Sequence, residues 1–175
     1  MKATYEEIAK CIWDNPELSL VEFKSSAKLQ EYLAKNGFKI EKGVSGMPTA
    51  FVATWGSGKP VIGFPAEFDA LPNLSQEAGA TAPKAVVPGG QRHGCGHNIF
   101  GTSSTTAAIA TKVAMEKHGI KGTIKVFGTP AEETLVGKIF MARDGVMDGT
   151  DIMISWHPGD YKWSGLLIHV GNDQC

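Results

Sequence analysis

The chain is 175 residues long, 42% hydrophobic and 20% charged, which suits one folded domain and excludes a disordered tail. Seventeen Lys and Arg against eighteen Asp and Glu leave a formal charge of -1, so nucleic acid, which needs a basic face to neutralise phosphates, is excluded as a partner. No apolar run approaches the ~18 residues of a membrane helix, and the opening Met1-Lys2-Ala3-Thr4-Tyr5-Glu6-Glu7 has no apolar stretch, so the expectation is a soluble cytoplasmic protein without a membrane partner.

In chain order, Ile8, Cys11 and Ile12 share one helical face, and Asn15-Pro16 ends that run because the residue before proline is pushed out of the α region. A second helix is predicted over residues 21–36, with Phe23, Ala27, Leu29, Leu33 and Ala34 as its apolar positions and Gly37 as a left-handed C-cap. Residues 49–55 then predict a strand, Gly56-Ser57-Gly58-Lys59 a hairpin-type turn, and residues 60–64 a buried strand. Residues 73–90 are rich in Gly, Ala and Pro and have no period; so long a loop inside a domain often lines a site. Small residues over 101–108 feed a helix predicted from 98 to 118 and suit close packing on a sheet. Residues 123–128 predict a strand, 135–143 a helix and 151–155 a strand. This alternation predicts an α/β fold, a three-layer sandwich with a largely parallel central sheet.

Asp69, the Glu132–Glu133 pair and His157 each follow a predicted strand, and open α/β sheets bind ligands outside the carboxyl ends of their strands. His93-Gly94-Cys95-Gly96-His97-Asn98 opens the small-residue helix and offers thiolate and imidazole, the usual zinc ligands, among glycines that let backbone crowd a cation. A Cys two places from a His also arises by chance, adjacent carboxylates are ordinarily a solvated pair, and a lone His after a strand is ordinarily structural. With the other two pieces present, the histidine too turns toward metal chemistry. One glutamate of the pair suits a ligand and its neighbour a general base, since a divalent ion relieves the repulsion between them. Three cysteines (Cys11, Cys95 and Cys175) are too few and scattered for a disulfide framework.

Five stretches carry a family resemblance: Trp13-Asp14-Asn15-Pro16-Glu17-Leu18-Ser19, Glu67-Phe68-Asp69-Ala70-Leu71-Pro72, His93-Gly94-Cys95-Gly96-His97-Asn98, Gly128-Thr129-Pro130-Ala131-Glu132-Glu133-Thr134 and Trp156-His157-Pro158-Gly159. In order and spacing they resemble the co-catalytic zinc-type amidohydrolases of the aminoacylase and carboxypeptidase superfamily. The resemblance is to the branch with a Cys ligand, which holds hippurate, indole-acetyl-amino-acid and aminobenzoyl-glutamate hydrolases. The Glu-Phe-Asp and His-Gly-Cys-Gly-His-Asn forms look most like the aminobenzoyl-glutamate group. The resemblance implies two divalent ions (Zn, Mn or Co) and hydrolysis of the amide bond of small N-acyl amino acids by an activated water. It implies Cys95, His97, Glu133 and His157 as metal ligands, Glu132 as the general base, and Asp69 as the aspartate that orients a ligand. Glu67 stands where a subset of the family has a ligating His, so no ligand role is carried onto it, and His93 receives none beyond proximity.

The pattern departs from the family after residue 161. The family's chain is more than twice as long, with a lid domain that forms a homodimer and a last His ligand beyond it. Only His169 follows His157, in a predicted strand, and it reads as structural. The expectation is therefore that residues 1–175 are the N-terminal part of a catalytic domain, truncated or frameshifted, holding one ion or none and hydrolysing poorly. The alternatives are a non-catalytic remnant or subunit that binds at most one metal, and a thiol protein with a redox-active Cys95.

Overall fold

The computed structural model of the protein describes residues 2–159, in which α1 (Lys2–Asp14) and α2 (Phe23–Lys35) lead into β1 (Lys39–Lys42), β2 (Phe51–Ser57) and β3 (Val61–Ala66). After a long connection come α3 (His97–His118), β4 (Gly122–Gly128), α4 (Gly137–Arg143) and β5 (Ile152–Met153). The strand predicted around His169 lies outside the described residues, as does the end of the 1–175 unit. No helix among the described residues is long and apolar enough to cross a membrane.

α1 ends just before Asn15-Pro16 and buries Ile8 and Ile12. α2 closes on Gly37, whose φ of +85° lets its N–H reach the carbonyl of Ala34 at 3.0 Å. Its buried face differs from the expected one. Phe23, Ala27 and Ala34 are exposed, while Ser25, Ser26, Leu29, Gln30, Tyr32 and Leu33 are buried. The polar members of that face are satisfied: Ser26 Oγ donates to the Thr49 carbonyl at 2.6 Å and Gln30 Nε2 donates to Ser26 Oγ at 2.8 Å.

The sheet order is β1-β2-β4-β3-β5. β2 is antiparallel to β1 and β4, and β3 runs parallel to β4 and β5, so four of the five strands share one direction. The turn at residues 56–59 is therefore not a hairpin, because β4 lies between β2 and β3. Turn composition is a local signal, whereas β4 is almost wholly buried on both faces and takes the centre of the sheet. β1, short, charged and mostly exposed, is an edge that apolar periodicity could not reveal.

Phe51, Ala53, Phe64, Ala66, Ile124 and Val126 pack with α1, α2 and α3 on one face, while Val52 and Phe127 pack with Val44, Met47 and Met141 on the other. Helical or turn segments thus cover both faces, the predicted three-layer arrangement. Residues 73–90 form a long loop closed at its base by a bridge in which Leu71 and Arg92 exchange hydrogen bonds of 3.0 and 2.9 Å. That bridge brings the chain after β3 back beside the start of α3.

Candidate metal centre

Four chain segments converge at the carboxyl end of the parallel strands. The chain leaving β3 supplies Glu67 and Asp69, with Phe68 between them turned into the core and stacked on Phe51 at 6.2 Å. The chain leaving β4 supplies Glu132 and Glu133, and Thr129 ties the two exits by donating from both N–H and Oγ1 to the Ala66 carbonyl. Cys95 and His97 sit at the start of α3, and His157 follows β5. Gly96 has φ +79°, and a Cβ there would stand 2.9 Å from Pro158 Cγ. Only glycine admits residues 156–158 so close to the first turn of α3, which is what brings His157 to Cys95.

His97 is the centre of the arrangement and is fully buried. Its Nδ1 lies 2.9 Å from Asp69 Oδ1 and 3.1 Å from the Asp69 carbonyl, two acceptors, so Nδ1 donates and Nε2 points the other way. Around Nε2 stand Glu67 Oε2 at 3.1 Å and Glu132 Oε2 at 3.6 Å, and Glu133 Oε1 lies 3.8 Å from Nδ1. His157 behaves alike: Nδ1 donates to the Pro158 carbonyl at 2.9 Å, which leaves Nε2 3.2 Å from Cys95 Sγ. The two imidazoles meet edge to face, 6.0 Å between centroids.

Four carboxyl groups around one lysine make the site strongly electronegative. Lys138, from α4, lies 2.5 Å from Glu67 Oε1 and 3.9 Å from Glu132 Oε1. Burial alone would lower the His97 pKa, but its bonds to Asp69 and Glu67 outweigh that and raise it to about 11. The imidazolium and the Lys138 ammonium are thus the positive charges these carboxylates meet when no metal is present. Burial pushes the Asp69 and Glu67 carboxyls up, yet His97 outweighs it for both, helped by the Glu133 N–H for Asp69 and by Lys138 for Glu67, and holds them low. Glu133 is raised, by burial first and then by the carboxylates of Asp69, Glu132 and Glu67.

The residues present fit a cation. His97 Nε2 and Glu67 Oε2 are buried with each other to face at 3.1 Å, and Glu133 Oε1 is buried and makes no hydrogen bond. One donor atom from each of Cys95, His97 and His157 lies within 4.8 Å of the others, and the same holds for Glu67, His97 and Glu132. Glu133 joins neither group. Burial pushes the Cys95 thiol up, and Glu133 and Glu132 add to it against the opposing pull of His97. His93 is buried, donates from Nε2 to the Ile12 carbonyl at 3.1 Å, and fastens this segment to α1.

The sequence profile described as peptidase family M20/M25/M40 matches residues 63–173. The chain belongs to this family. It is 47% identical to one of the subunits of the p-aminobenzoyl-glutamate hydrolase of Escherichia coli (strain K12), over 96% of this chain and 38% of that one. It is 35% identical to thermostable carboxypeptidase 2 of Saccharolobus solfataricus, over 92% of this chain and 40% of that one. Among solved structures, the Bacillus subtilis YXEP protein, described as a dinuclear metal binding peptidase from the M20 family, superposes with a TM-score of 0.65. That match has 25% identity and covers 87% of this chain and 42% of the other. The chain therefore spans about two fifths of the length of these M20/M25/M40 relatives; the family read from the motifs agrees with all three, and the aminobenzoyl-glutamate resemblance with the Escherichia coli one.

Two members of the site lie outside the sequence expectation for this M20/M25/M40 chain. The motifs assign Glu67 no ligand role, yet it stands closest to His97 Nε2 of the two carboxylates there. An acidic residue directly after an apolar strand and two places before Asp69 is its available signal. Lys138 leaves none, because a lysine early in a helix reads as solvent-facing.

Proposed function

We propose that the chain is the metal-bearing part of an amidohydrolase that cleaves the amide bond of N-acyl amino acids, aminobenzoyl-glutamate among them. In this reading Cys95, His97, Glu133 and His157 hold a divalent cation. The observation that carries it is the fully buried His97, which both donor groups share and whose Nε2 has the Glu67 and Glu132 carboxylates before it. Thiolate, imidazole and carboxylate together suit Zn, Mn or Co. Bound there, such a cation would supply Lewis acidity toward the scissile carbonyl and toward an attacking water.

The chain's own residues supply the rest. Glu132, the more exposed of the pair at 28% against 14% of its side chain, takes the proton from water and returns it to the leaving amine. Asp69 fixes the His97 ring. Glu67, beside His97, offers a carboxylate toward a second cation, in keeping with the dinuclear description of the Bacillus subtilis relative. The substrate class rests on the name of the Escherichia coli relative, which acts on an N-acyl glutamate. That relative is also one subunit of its enzyme, which extends the reading to assembly with a further chain. Residence in the cytoplasm fits the free thiols of Cys11 and Cys95.

The second reading, a metal-binding chain without turnover, is favoured by the Cys95 group, which offers three donors among the described residues. The test is Zn and Mn content per chain after titration and dialysis, followed by hydrolysis of aminobenzoyl-glutamate and N-acetyl-glutamate. Retained metal that is lost in Cys95→Ser but kept in Glu132→Gln, with turnover abolished in Glu132→Gln, is the expected outcome. Metal without turnover in the wild-type chain selects the second reading. Absence of bound metal overturns both.

A further inference from the structure

The segment joining α1 to α2 carries one of the five motif stretches, and the proposed function leaves it without a role. Its contacts lead to both acid-bearing loops. The Ala70 N–H donates to the Glu17 carbonyl at 2.8 Å, and Ser19 Oγ donates to Asp69 Oδ2 at 3.0 Å. On the other side, Glu22 Oε1 accepts from the N–H groups of Ala131 and Leu20, both at 2.9 Å, and Oε2 accepts from Thr49 Oγ1 at 2.7 Å.

Glu22 is 0% exposed, while its neighbours Val21 and Phe23 are 51% and 55% exposed. The chain turns a carboxyl inward and two large apolar groups outward, the reverse of what burial favours unless the carboxyl has partners. Those partners are telling. Leu20 and Ala131 both sit in the left-handed region, at φ 67° and 56°, where side chains beyond glycine need surroundings that hold them. Ala131 directly precedes Glu132, and its carbonyl accepts from the Val136 N–H at 3.1 Å and from Thr134 Oγ1 at 3.3 Å. Capping of α2 does not explain Glu22, because Glu17 does that work by accepting from the Lys24 and Ser25 N–H groups at 3.0 and 2.9 Å.

We propose that residues 17–22 form a strap that sets Asp69 and the Glu132–Glu133 pair relative to one another, with Ser19 and Glu22 as its positioning residues. This rests on the assignment of Asp69, Glu132 and Glu133 to the metal site. Ser19 shares Asp69 Oδ2 with the Glu133 N–H, which donates at 2.9 Å, so both ends of the strap act on the same pair. Releasing Glu22 frees the Ala131 peptide to leave the left-handed region, and a turn of that peptide redirects the side chains that follow it.

Amide hydrogen exchange tests the strap without any metal present. Glu22→Leu is expected to speed exchange across residues 129–137 about tenfold while β2 and α3 keep their rates, and Glu22→Gln to stay within about twofold of wild type because its Oε1 still accepts from Ala131. Ser19→Ala, which removes only a half-buried hydroxyl and folds whatever Glu22→Leu does, is expected to speed exchange of the Glu133 amide about threefold. Unchanged rates over 129–137, an equal rise in β2, or a Glu22→Gln variant as fast as Glu22→Leu overturns the strap. Zinc affinity supplies the second readout: a loss of about tenfold in Glu22→Leu, restored in Glu22→Gln, is expected. A wild-type chain that takes no zinc sinks the metal assignment, while the exchange rates still decide the strap.

Discussion

Asp69 receives the Nδ1 proton of His97 on one oxygen and the Glu133 N–H on the other, each at 2.9 Å, and so fixes the imidazole and the acidic loop with a single carboxylate. Asparagine keeps the shape but has one acceptor oxygen, so in either orientation one of the two bonds is lost. The Asp69→Asn variant is expected to fold and to lose about ten- to a hundredfold in zinc affinity, the usual cost of removing the partner that orients a ligating histidine. Competition against a chromophoric chelator measures it. Wild-type affinity in that variant would show that the ring is held by packing alone.

Lys138 stands 2.5 Å from Glu67 Oε1 and sets its ammonium against the same side of the site that a second cation would use. Its side chain is 39% exposed, so solvent screens the repulsion to a modest size. Lys138→Met is expected to raise divalent affinity by about three- to tenfold, and Glu67→Gln to lower it by a similar factor. Metal titration of the two variants and their double mutant separates the effects. Equal affinities for Lys138→Met and wild type would place the cation away from Glu67.

The strand exits are legible in the sequence because each pairs an apolar run with a polar residue that has no core to enter, as at Asp69, Glu132 and His157. The glycines beside Cys95 point to close backbone approach, and Gly96 against Pro158 is that approach. Other features rest on partners far along the chain. The turn at 56–59 looks like a hairpin until β4, some sixty residues later, takes the place between β2 and β3. The helix expected from residue 135 starts instead at Gly137, because Leu135 sits at φ 58° with 74% of its surface exposed. Glu22 is hidden for the same reason: flanked by Val21 and Phe23, it reads as a surface residue, and only Ala131 and Thr49 explain its burial.

Acid stability turns on His93. Burial holds its pKa at about 4, against about 6.5 for a free imidazole, and Nδ1 has no partner to stabilise a second proton. Below pH ~6.5 the unfolded chain takes up a proton that the folded chain refuses until about pH 4, so stability falls with pH across that window, by roughly 3 kcal/mol in all. His97 has the opposite shift, and its contribution is complete below pH ~6.5 and lost only as pH rises toward about 11, so it adds no slope there. Urea unfolding of metal-free wild type and His93→Gln at pH 7, 5.5 and 4.5 isolates the residue. The difference between the two chains is expected to shrink as pH falls, and a constant difference would mean that His93 accepts a proton in the fold.

Gly101 decides how closely α3 approaches the exit of β3. A Cβ there would stand 2.5 Å from the Glu67 carbonyl oxygen and 3.2 Å from Leu29 Cδ1. Helix propensity favours alanine over glycine by about 1 kcal/mol, while forcing a methyl into a filled contact costs about 1–3 kcal/mol. The contact is with backbone, which cannot swing aside as a side chain does, so the clash wins. Gly101→Ala is expected to lower stability by about 1–2 kcal/mol in urea unfolding and to weaken zinc binding through displacement of Glu67. Ser103→Ala, on the same helix as Gly101, loses only a 3.1 Å bond to Tyr5 of α1 and is expected to leave zinc affinity unchanged. A stabilised Gly101→Ala chain would show that propensity outweighs the contact and that α3 has room to move away from Glu67.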